Sequence, residues 1–386
     1  TYNRGKFLDD AIRGLFQLNY SNYEIIIING PSIDNSQEVI DSWSNQIKQK
    51  KIPERNLSIS RNAGIDLADG EIIAFIDDDA VPHPEWLNKL ANNYTDSFVG
   101  GVGGFTIDNT GSRFQVKKSI CDRFGNARNP DRSFDEKLFC FKNSPLYPSI
   151  LGTNCSYRRS AILEIGGFDH TFAYLLDETD ICLRLIDANY LIKYEPEALV
   201  FHQFAESHIR SPKKIPKTLY PSAVSKSYFI LTHGAKHNFQ KSNVELKKYE
   251  DEILGCNKWL YENGEISRLH YNFLNNDLIK GIEAGKQKSF IKNSKNSNQG
   301  DLKLTEREKE FKKLTNKNSL CIFLISQSFP PDNDAGIAKW TQMLAQGLSK
   351  LGHKVHVITK GDEKSTVFKN KFWIHKLTNK LNQESE

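Results

Sequence analysis

From Tyr23 onward the chain alternates short apolar runs with longer polar or amphipathic stretches. YEIIIIN, which begins at Tyr23, reads as a strand, residues 36–50 as an amphipathic helix, NLSIS from Asn56 as a second strand, and EIIAFID from Glu71 as a third. Continuous apolar runs separated by helical stretches mark strands buried on both faces of a parallel sheet, so an α/β sheet with helices on both faces is predicted. Residues 98–107 form a further strand whose glycines allow close backbone approach, and the polar stretch up to Asn143 shows no clean period. Ser160 is placed to cap a short helix ending at Gly166 and Gly167. A second helix begins near Thr179 with Ile181, Cys182, Leu185 and Ile186 on one face, and LIKYEPEALVFH is a strand that ends at His202.

Between residues 240 and 318 the chain becomes rich in Lys, Asn, Glu and Ser, which predicts a helical extension leading into a flexible linker. A new pattern then begins with the apolar run LCIFLIS, a loop, a helix over residues 337–351 and the strand KVHVIT. Strand, helix and returning strand make a βαβ unit, which calls for a larger sheet than the residues up to Glu386 supply. The expected division is therefore 1–239, 240–318 and 319–386. No internal repeat is visible.

Composition narrows the function classes. With 386 residues, 38% hydrophobic and 26% charged, the chain has room for two or three ordinary globular domains. A net charge of +5, from 52 Lys and Arg against 47 acids, gives no case for nucleic acid binding and leaves peripheral association with an anionic membrane face open. The six cysteines are scattered without a CxxC pair, as in reduced thiols of a cytoplasmic protein. No run approaches the roughly 18 apolar residues of a membrane span. The first residue is Thr1, no signal-peptide pattern follows it, and the chain is expected to begin inside a longer protein.

Candidate chemistry concentrates where strands end. EIIAFIDDDAVP sets Asp77, Asp78 and Asp79 directly after a buried strand, at the sheet edge where open α/β sheets bind ligands. Three adjacent carboxylates repel unless a cation compensates, and Mg²⁺ or Mn²⁺ there could bridge two phosphates; an acidic turn at a helix start is the competing explanation. Arg61 and Asn62 stand between a strand and a predicted helix, where an Arg reaches a base or phosphate, or else forms a surface salt bridge. Asp177, Glu178 and Asp180 open a helix after Gly152, Thr153 and Asn154; a carboxylate here could take the proton of an attacking hydroxyl or merely cap the helix. His202 could offer a neutral imidazole to the same cation or serve as a structural hydrogen-bonding residue. His208, Arg210, Lys213 and Lys214 form a basic stretch able to hold a leaving diphosphate or simply to face water.

TYNR at the start, EIIIINGPSIDNS, SRNAGIDLADGEIIAFIDDDAVP, GTNCSYRR, IGGFD, DETDICLRL and EALVFH occur in an order that resembles family 2 glycosyltransferases over about residues 1 to 235. The resemblance implies a GT-A fold and an inverting transfer of sugar from a nucleotide diphosphate donor of UDP, GDP or dTDP type. It implies that Asp79 and His202 hold the metal, that Asp77 lies near the ribose, and that Thr1, Tyr2, Arg4, Asn29, Arg61 and Asp78 line the donor. Gly152, Thr153 and Asn154 fall at the donor sugar or acceptor. Glu178 aligns with the family's base, with Asp177 as a rival because the acidic pair is in swapped order. Asn29 stands where the family often has an Asp that reads the nucleobase. Thr1 to Arg4 match the end of the family's first, central strand, so low stability is expected. The stretch from LCIFLIS through KVHVIT resembles the opening βαβ of a family 4 glycosyltransferase with the GT-B fold, and its loop from Asp334 to Ile337 has one glycine where that family often has two. The acceptor is expected to be a glycan, a lipid-linked glycan or a protein. A noncatalytic nucleotide-binding scaffold and a nucleotidyltransferase are the alternatives, the second disfavoured because no Gly-rich, Lys-containing phosphate loop is present.

Overall fold

The computed structural model describes residues 1–131, 134–295, 299–314, 319–332 and 336–378. Helix α1 (Gly5–Leu15) leads to the parallel pair β1 (Ile26–Asn29) and β2 (Lys48–Lys51), with α2 (Ser36–Asp41) between them. Helix α3 (Leu57–Leu67) then feeds β3 (Ile72–Ile76), followed by β4 (Ala80–Pro82), α4 (Trp86–Ala91) and β5 (Val99–Ile107). Short strands β6 (Phe114–Val116), β7 (Ile120–Asp122), β8 (Ala127–Arg128) and β9 (Leu146–Pro148) precede β10 (Asn154–Arg158), α5 (Arg159–Glu164), α6 (Asp177–Asp187) and β11 (Leu191–His202).

The main sheet runs β3-β10-β5-β11-β4, with β6 on β5. It is a mixed α/β sheet of the GT-A type, as the resemblance predicted; the parallel sheet expected from the apolar runs is not formed, because only β5 and β11 pair in parallel and their other neighbours are antiparallel. Alternation along β3 sends Ile73 and Phe75 to one face, against Ile65 of α3, Ala161 and Ile162 of α5 and Ile181 of α6. Ile72, Ala74 and Ile76 go to the other face, with Trp86 and Leu90 of α4. Two dry layers of side chains thus grip β3, and the carboxylates that follow it inherit a fixed origin. At Gly104 a Cβ would sit 2.1 Å from the Ala198 carbonyl oxygen, so this glycine lets β5 and β11 lie together.

Several elements differ from the sequence reading. Residues 36–50 are not one helix: α2 stops at Asp41 and Lys48–Lys51 is the polar edge strand β2. NLSIS is not a strand but the start of α3, capped by the Asn56 side chain, which accepts from the Ile59 amide. Arg61 and Asn62 accordingly lie inside a helix. Ser160 does not cap α5, because the helix already begins at Arg159. The unperiodic stretch after residue 107 holds the small strands β6 to β9.

Helices α7 (Tyr220–Phe229), α8 (Ala235–His237), α9 (Phe239–Glu262) and α10 (Arg268–Ser294) pack around Leu274, Leu278 and Ile282, and Tyr228 and Phe229 of α7 join the core of the sheet domain. Gly281 and Gly285, one turn apart on α10, let α7 approach; a Cβ on Gly281 would meet Ala223 at 2.7 Å. Among the described residues no helix is long and apolar enough to cross a membrane. Residues 299–314, read as part of a flexible linker, carry no helix or strand yet are fastened to the sheet domain. The Thr305 amide donates to Asp66 at 2.7 Å, Arg307 holds both oxygens of Asp69, and Leu314 is buried beside α1 and β1.

The C-terminal unit contains β12 (Cys321–Ser326), α11 (Gly336–Lys350), β13 (Lys354–Lys360), β14 (Ser365–Lys369) and β15 (Phe372–Leu377), in the order β12-β13-β15-β14. β12 and β13 are parallel, as a βαβ unit requires. β14 and β15 form a hairpin that the sequence reading did not anticipate. Residues 334 and 335 of the loop singled out at Asp334 to Ile337 lie outside the described residues. Phe368 and Trp373 of the hairpin bury themselves on Val81 of β4 and Phe201 of β11. Trp373 is 1% exposed, so Trp373→Ala is expected to cost about 3–5 kcal/mol, measured by urea unfolding. A loss below about 1 kcal/mol would mean that the unit does not bear on the sheet.

β1 is not hydrogen-bonded to β3. A cavity of ≈ 610 Å³ runs between them, walled by Ile26, Ile28, Ile73 and Phe75, and opens at Tyr2 and Asp78. Thr1 crosses its mouth, donating to the Ile28 carbonyl at 2.8 Å and accepting from the Gly30 amide at 2.9 Å.

Candidate active site

Strand pairing assembles the first cluster. β4 runs antiparallel to β11 with Ala80 opposite His202, and the Gln203 amide donates to the Asp79 carbonyl at 2.9 Å. Asp79, one residue before Ala80, is thereby held beside the imidazole: His202 Nε2 lies 3.3 Å from Asp79 Oδ1 and 3.9 Å from Asp77 Oδ2. One donor atom from each of Asp77, Asp79 and His202 falls within 4.8 Å of the others. Burial alone would raise the Asp79 carboxyl, but His202, the Arg4 guanidinium at 2.7 Å and the Ala205 amide outweigh it and hold the group well below the usual carboxylate range. Burial and the neighbouring Asp79 charge raise Asp77, against a hydrogen bond from Thr153 at 2.6 Å.

This donor set fits a hard divalent cation. Two carboxylates and an imidazole suit Mg²⁺ or Mn²⁺, and Asp79 Oδ1 is buried without a hydrogen-bond partner, an oxygen that a cation would satisfy. The acidic triplet is therefore more than a solvated turn. Asp78 faces Arg4 at 3.2 Å and lies outside the cluster.

A second buried group lies beside it. Leu175 and Leu176 both adopt positive φ, 65° and 64°, a conformation that bulky residues avoid, and they deliver Asp177 and Glu178 into the first turn of α6. Arg61 of α3 enters between the Phe75 and Phe168 rings and donates to Asp177, with Glu178 Oε2 at 3.7 Å. A Cβ on residue 152 would come 2.4 Å from the Arg61 guanidinium, so Gly152 makes room for it. Arg61, expected at the donor, lines the cavity together with Tyr2, Arg4 and Asp77, and its guanidinium there offsets the charge of the acidic pair. Burial lifts Asp177 well above the usual range despite Arg61, with Glu178 adding to the rise. Burial also opposes ionisation of Glu178, but the bond to Asp177, the attraction of Arg61 and the Gly152 amide hold Glu178 below its ordinary value. Arg61→Ala would strand buried acid without its cation and is expected to cost about 3–5 kcal/mol in chemical denaturation. A change within about 1 kcal/mol would show that Arg61 is not needed for the pair.

Gly152 and Thr153 connect the two groups, the amide of one reaching Glu178 at 3.4 Å and the hydroxyl of the other reaching Asp77. Asn154, expected at the sugar, is instead fully buried: it accepts from the Trp86 indole and donates to the Phe105 and Ala198 carbonyls, which ties β10 to β5 and β11. Asp180 binds Arg184 and His233, an internal ion pair away from the acidic pair's chemistry. Asn29 is buried and bonded to Gln37 and Ser32. Tyr2 stands edge-on to His208 and under Arg55 at the cavity mouth. Burial, then the charges of Arg55, Arg4 and Lys217, push His208 down to about 4, so it is neutral at pH 7. Of the basic stretch, Arg210 and Lys214 lie on the Phe204 ring, and Lys213 pairs with Glu265 in solvent. Arg55 and Gln115, the latter 2.9 Å from His202 Nδ1, were not singled out by sequence, since neither sits in a recognisable motif.

Comparison with known proteins gives the same class. Residues 1–166 match glycosyl transferase family 2. A glucosyl-dolichyl phosphate glucuronosyltransferase from Haloferax volcanii is 24% identical over 58% of this chain and 77% of its own length. The poly(ribitol-phosphate) beta-N-acetylglucosaminyltransferase TarP from Staphylococcus aureus is 24% identical over 75% of this chain and 94% of its own. A solved mannosyltransferase from Pyrobaculum calidifontis, in complex with GDP-Man and Mn²⁺, aligns over 76% of this chain and 85% of its own with a TM-score of 0.42 and 14% identity. Residues 1–166 carry a family 2 glycosyltransferase domain, and the chain is a glycosyltransferase.

Proposed function

We propose that this glycosyltransferase moves a sugar, with inversion, from a nucleoside diphosphate donor of UDP, GDP or dTDP type to a hydroxyl of a lipid-linked glycan, another glycan or a protein. The observation that carries the reading is the juxtaposition of Asp77, Asp79 and His202, with its unpartnered buried oxygen, and a separate acidic pair held by Arg61. Mg²⁺ or Mn²⁺ at the first cluster would supply positive charge against the departing diphosphate. Arg4 stands ready to share the phosphate charge, since it already bridges Asp78 and Asp79. Tyr2, Arg55 and neutral His208 flank the entrance where the nucleotide would lie. Glu178, ionised and adjacent to Gly152, takes the proton from the acceptor hydroxyl as its oxygen attacks the anomeric carbon. Asp177 keeps Glu178 oriented and Arg61 keeps it charged.

The lipid-linked or polymeric acceptor leans on the two relatives, whose names specify a dolichyl phosphate and a poly(ribitol phosphate). The reduced cysteines, all six outside any disulfide, favour a cytoplasmic site, with the acceptor met at the membrane face. Residues 319–378 are read as the opening of a second, GT-B-type unit. The parallel β12-α11-β13 order and the exposed Phe323, Ile325, Trp340 and Met343, which a larger α/β body would cover, support that reading.

A melting assay tests donor and metal together. Mn²⁺ with UDP, GDP or dTDP is expected to raise the midpoint for at least one nucleotide, more than either component alone. No shift with any of the three would remove the reading.

A further inference from the structure

An imidazole can ligate a cation only through a nitrogen that carries no proton, so a site built on histidine must decide where the ring's one proton sits. Here the decision falls on a residue outside the donor set. Gln115 lies on β6, which pairs with β5 through Thr106 opposite Val116 and Ile107 opposite Phe114, with a register shift between them. Its carboxamide oxygen is 2.9 Å from His202 Nδ1. The opposite nitrogen, Nε2, is the one facing Asp79 and Asp77. The imidazole is 4% exposed, so water does not compete freely for either nitrogen.

We propose that Gln115 is the positioning residue of the Asp77–Asp79–His202 cluster: its carboxamide oxygen accepts the Nδ1 proton of His202 and thereby leaves the Nε2 lone pair aimed between the two carboxylates for a divalent cation. The inference rests on the metal reading above. Residue 115 acts by offering an acceptor, not by filling space. A carboxylate in its place keeps the acceptor, whereas an apolar side chain leaves a buried N–H without a partner and frees the ring to place its proton on Nε2.

The test is Mn²⁺ affinity, followed by electron paramagnetic resonance on the whole chain without nucleotide, for the parent, Gln115→Leu and Gln115→Glu. Gln115→Ala serves as a second apolar variant should the leucine not fold. Gln115→Leu is expected to weaken Mn²⁺ binding about 10- to 100-fold, while Gln115→Glu stays within about threefold of the parent or binds more tightly. The ring ¹⁵N shifts of His202 in the Mg²⁺-loaded protein should show the proton on Nδ1 in the parent and in Gln115→Glu, and a mixture in Gln115→Leu. Equal Mn²⁺ affinity in parent and Gln115→Leu would overturn the proposal while leaving the metal site standing. So would a Gln115→Glu variant as weak as Gln115→Leu. A parent that binds no Mn²⁺ would sink the metal reading itself and this inference with it.

Discussion

Glu178→Gln is expected to lower turnover by about three orders of magnitude with the fold and donor binding intact. Proton abstraction by a positioned base contributes on the order of 10²–10⁴ in rate, and Gln keeps the shape of Glu while losing its basicity. The assignment to Glu178 rather than Asp177 comes from the environment of the pair. Asp177 is 1% exposed, in contact with Arg61, and driven toward its neutral form; Glu178 is more accessible and held in its charged form by Asp177, Arg61 and the Gly152 amide. Asp177→Asn should therefore retain far more turnover than Glu178→Gln and show its effect chiefly as a lower melting point. Steady-state kinetics and a thermal melt on both variants decide the matter. The reverse ranking, Asp177→Asn inert and Glu178→Gln active, would transfer the base to Asp177.

Asp79→Ala should be comparably damaging for a different reason. Its carboxylate meets His202, Arg4 and the Ala205 amide at once, and one of its oxygens is left for a cation. A divalent ion contributes several kcal/mol of charge stabilisation, so a loss of about a thousandfold in kcat/KM is expected, together with loss of Mn²⁺ binding in a direct titration. Asp78→Ala, which removes only a contact with Arg4, should fall by no more than about tenfold. A variant lacking Asp79 that still binds Mn²⁺ as tightly as the parent would show that the cation lies elsewhere.

What could be read from the sequence followed how each element is buried. β3 is an apolar run covered on both faces and was read within one residue at each end, and the bounds of β11 at Leu191 and His202 were legible to the residue. α6 shows an apolar face and was placed within two residues. α3 was misread because its buried face is largely polar: Ser58, Arg61, Asn62, Ile65 and Asp66 turn inward at helical spacing, so apolar periodicity does not reveal it. β2 was missed for the opposite reason, since KQKK is a sheet edge facing solvent and has no apolar alternation. The β14–β15 hairpin turns at Asn370 and Lys371, both at positive φ, 54° and 72°, and Lys in the second place hides the Asn-Gly signal of such turns.

The candidate site divides along the same line. Asp77, Asp79, Glu178 and His202 could be singled out because they sit in ordered motifs, yet no sequence rule says that Ala80 pairs with His202, and that pairing is what brings Asp79 to the imidazole. Arg61 was visible as a residue but not as the partner of Asp177, which lies 116 positions away. Asn154 shows how a residue in a recognisable motif can belong to the scaffold, its amide spent on the backbone of two neighbouring strands and an indole. Gln115 had no signal at all, because a hydrogen-bond acceptor for a buried ring is defined only by the fold around it.

The reading proposed for this chain, metal-dependent release of a nucleoside diphosphate from a nucleotide sugar, is open to direct measurement. The direct measurement presents the purified chain with UDP-, GDP- and dTDP-sugars, Mn²⁺ or Mg²⁺, and a pool of glycan and lipid-linked acceptors, and quantifies the free nucleoside diphosphate. Release from at least one donor is expected, abolished by EDTA, restored by Mn²⁺ and absent in Asp79→Ala. Release that persists undiminished in EDTA, or no release from any donor by a folded chain, would contradict it.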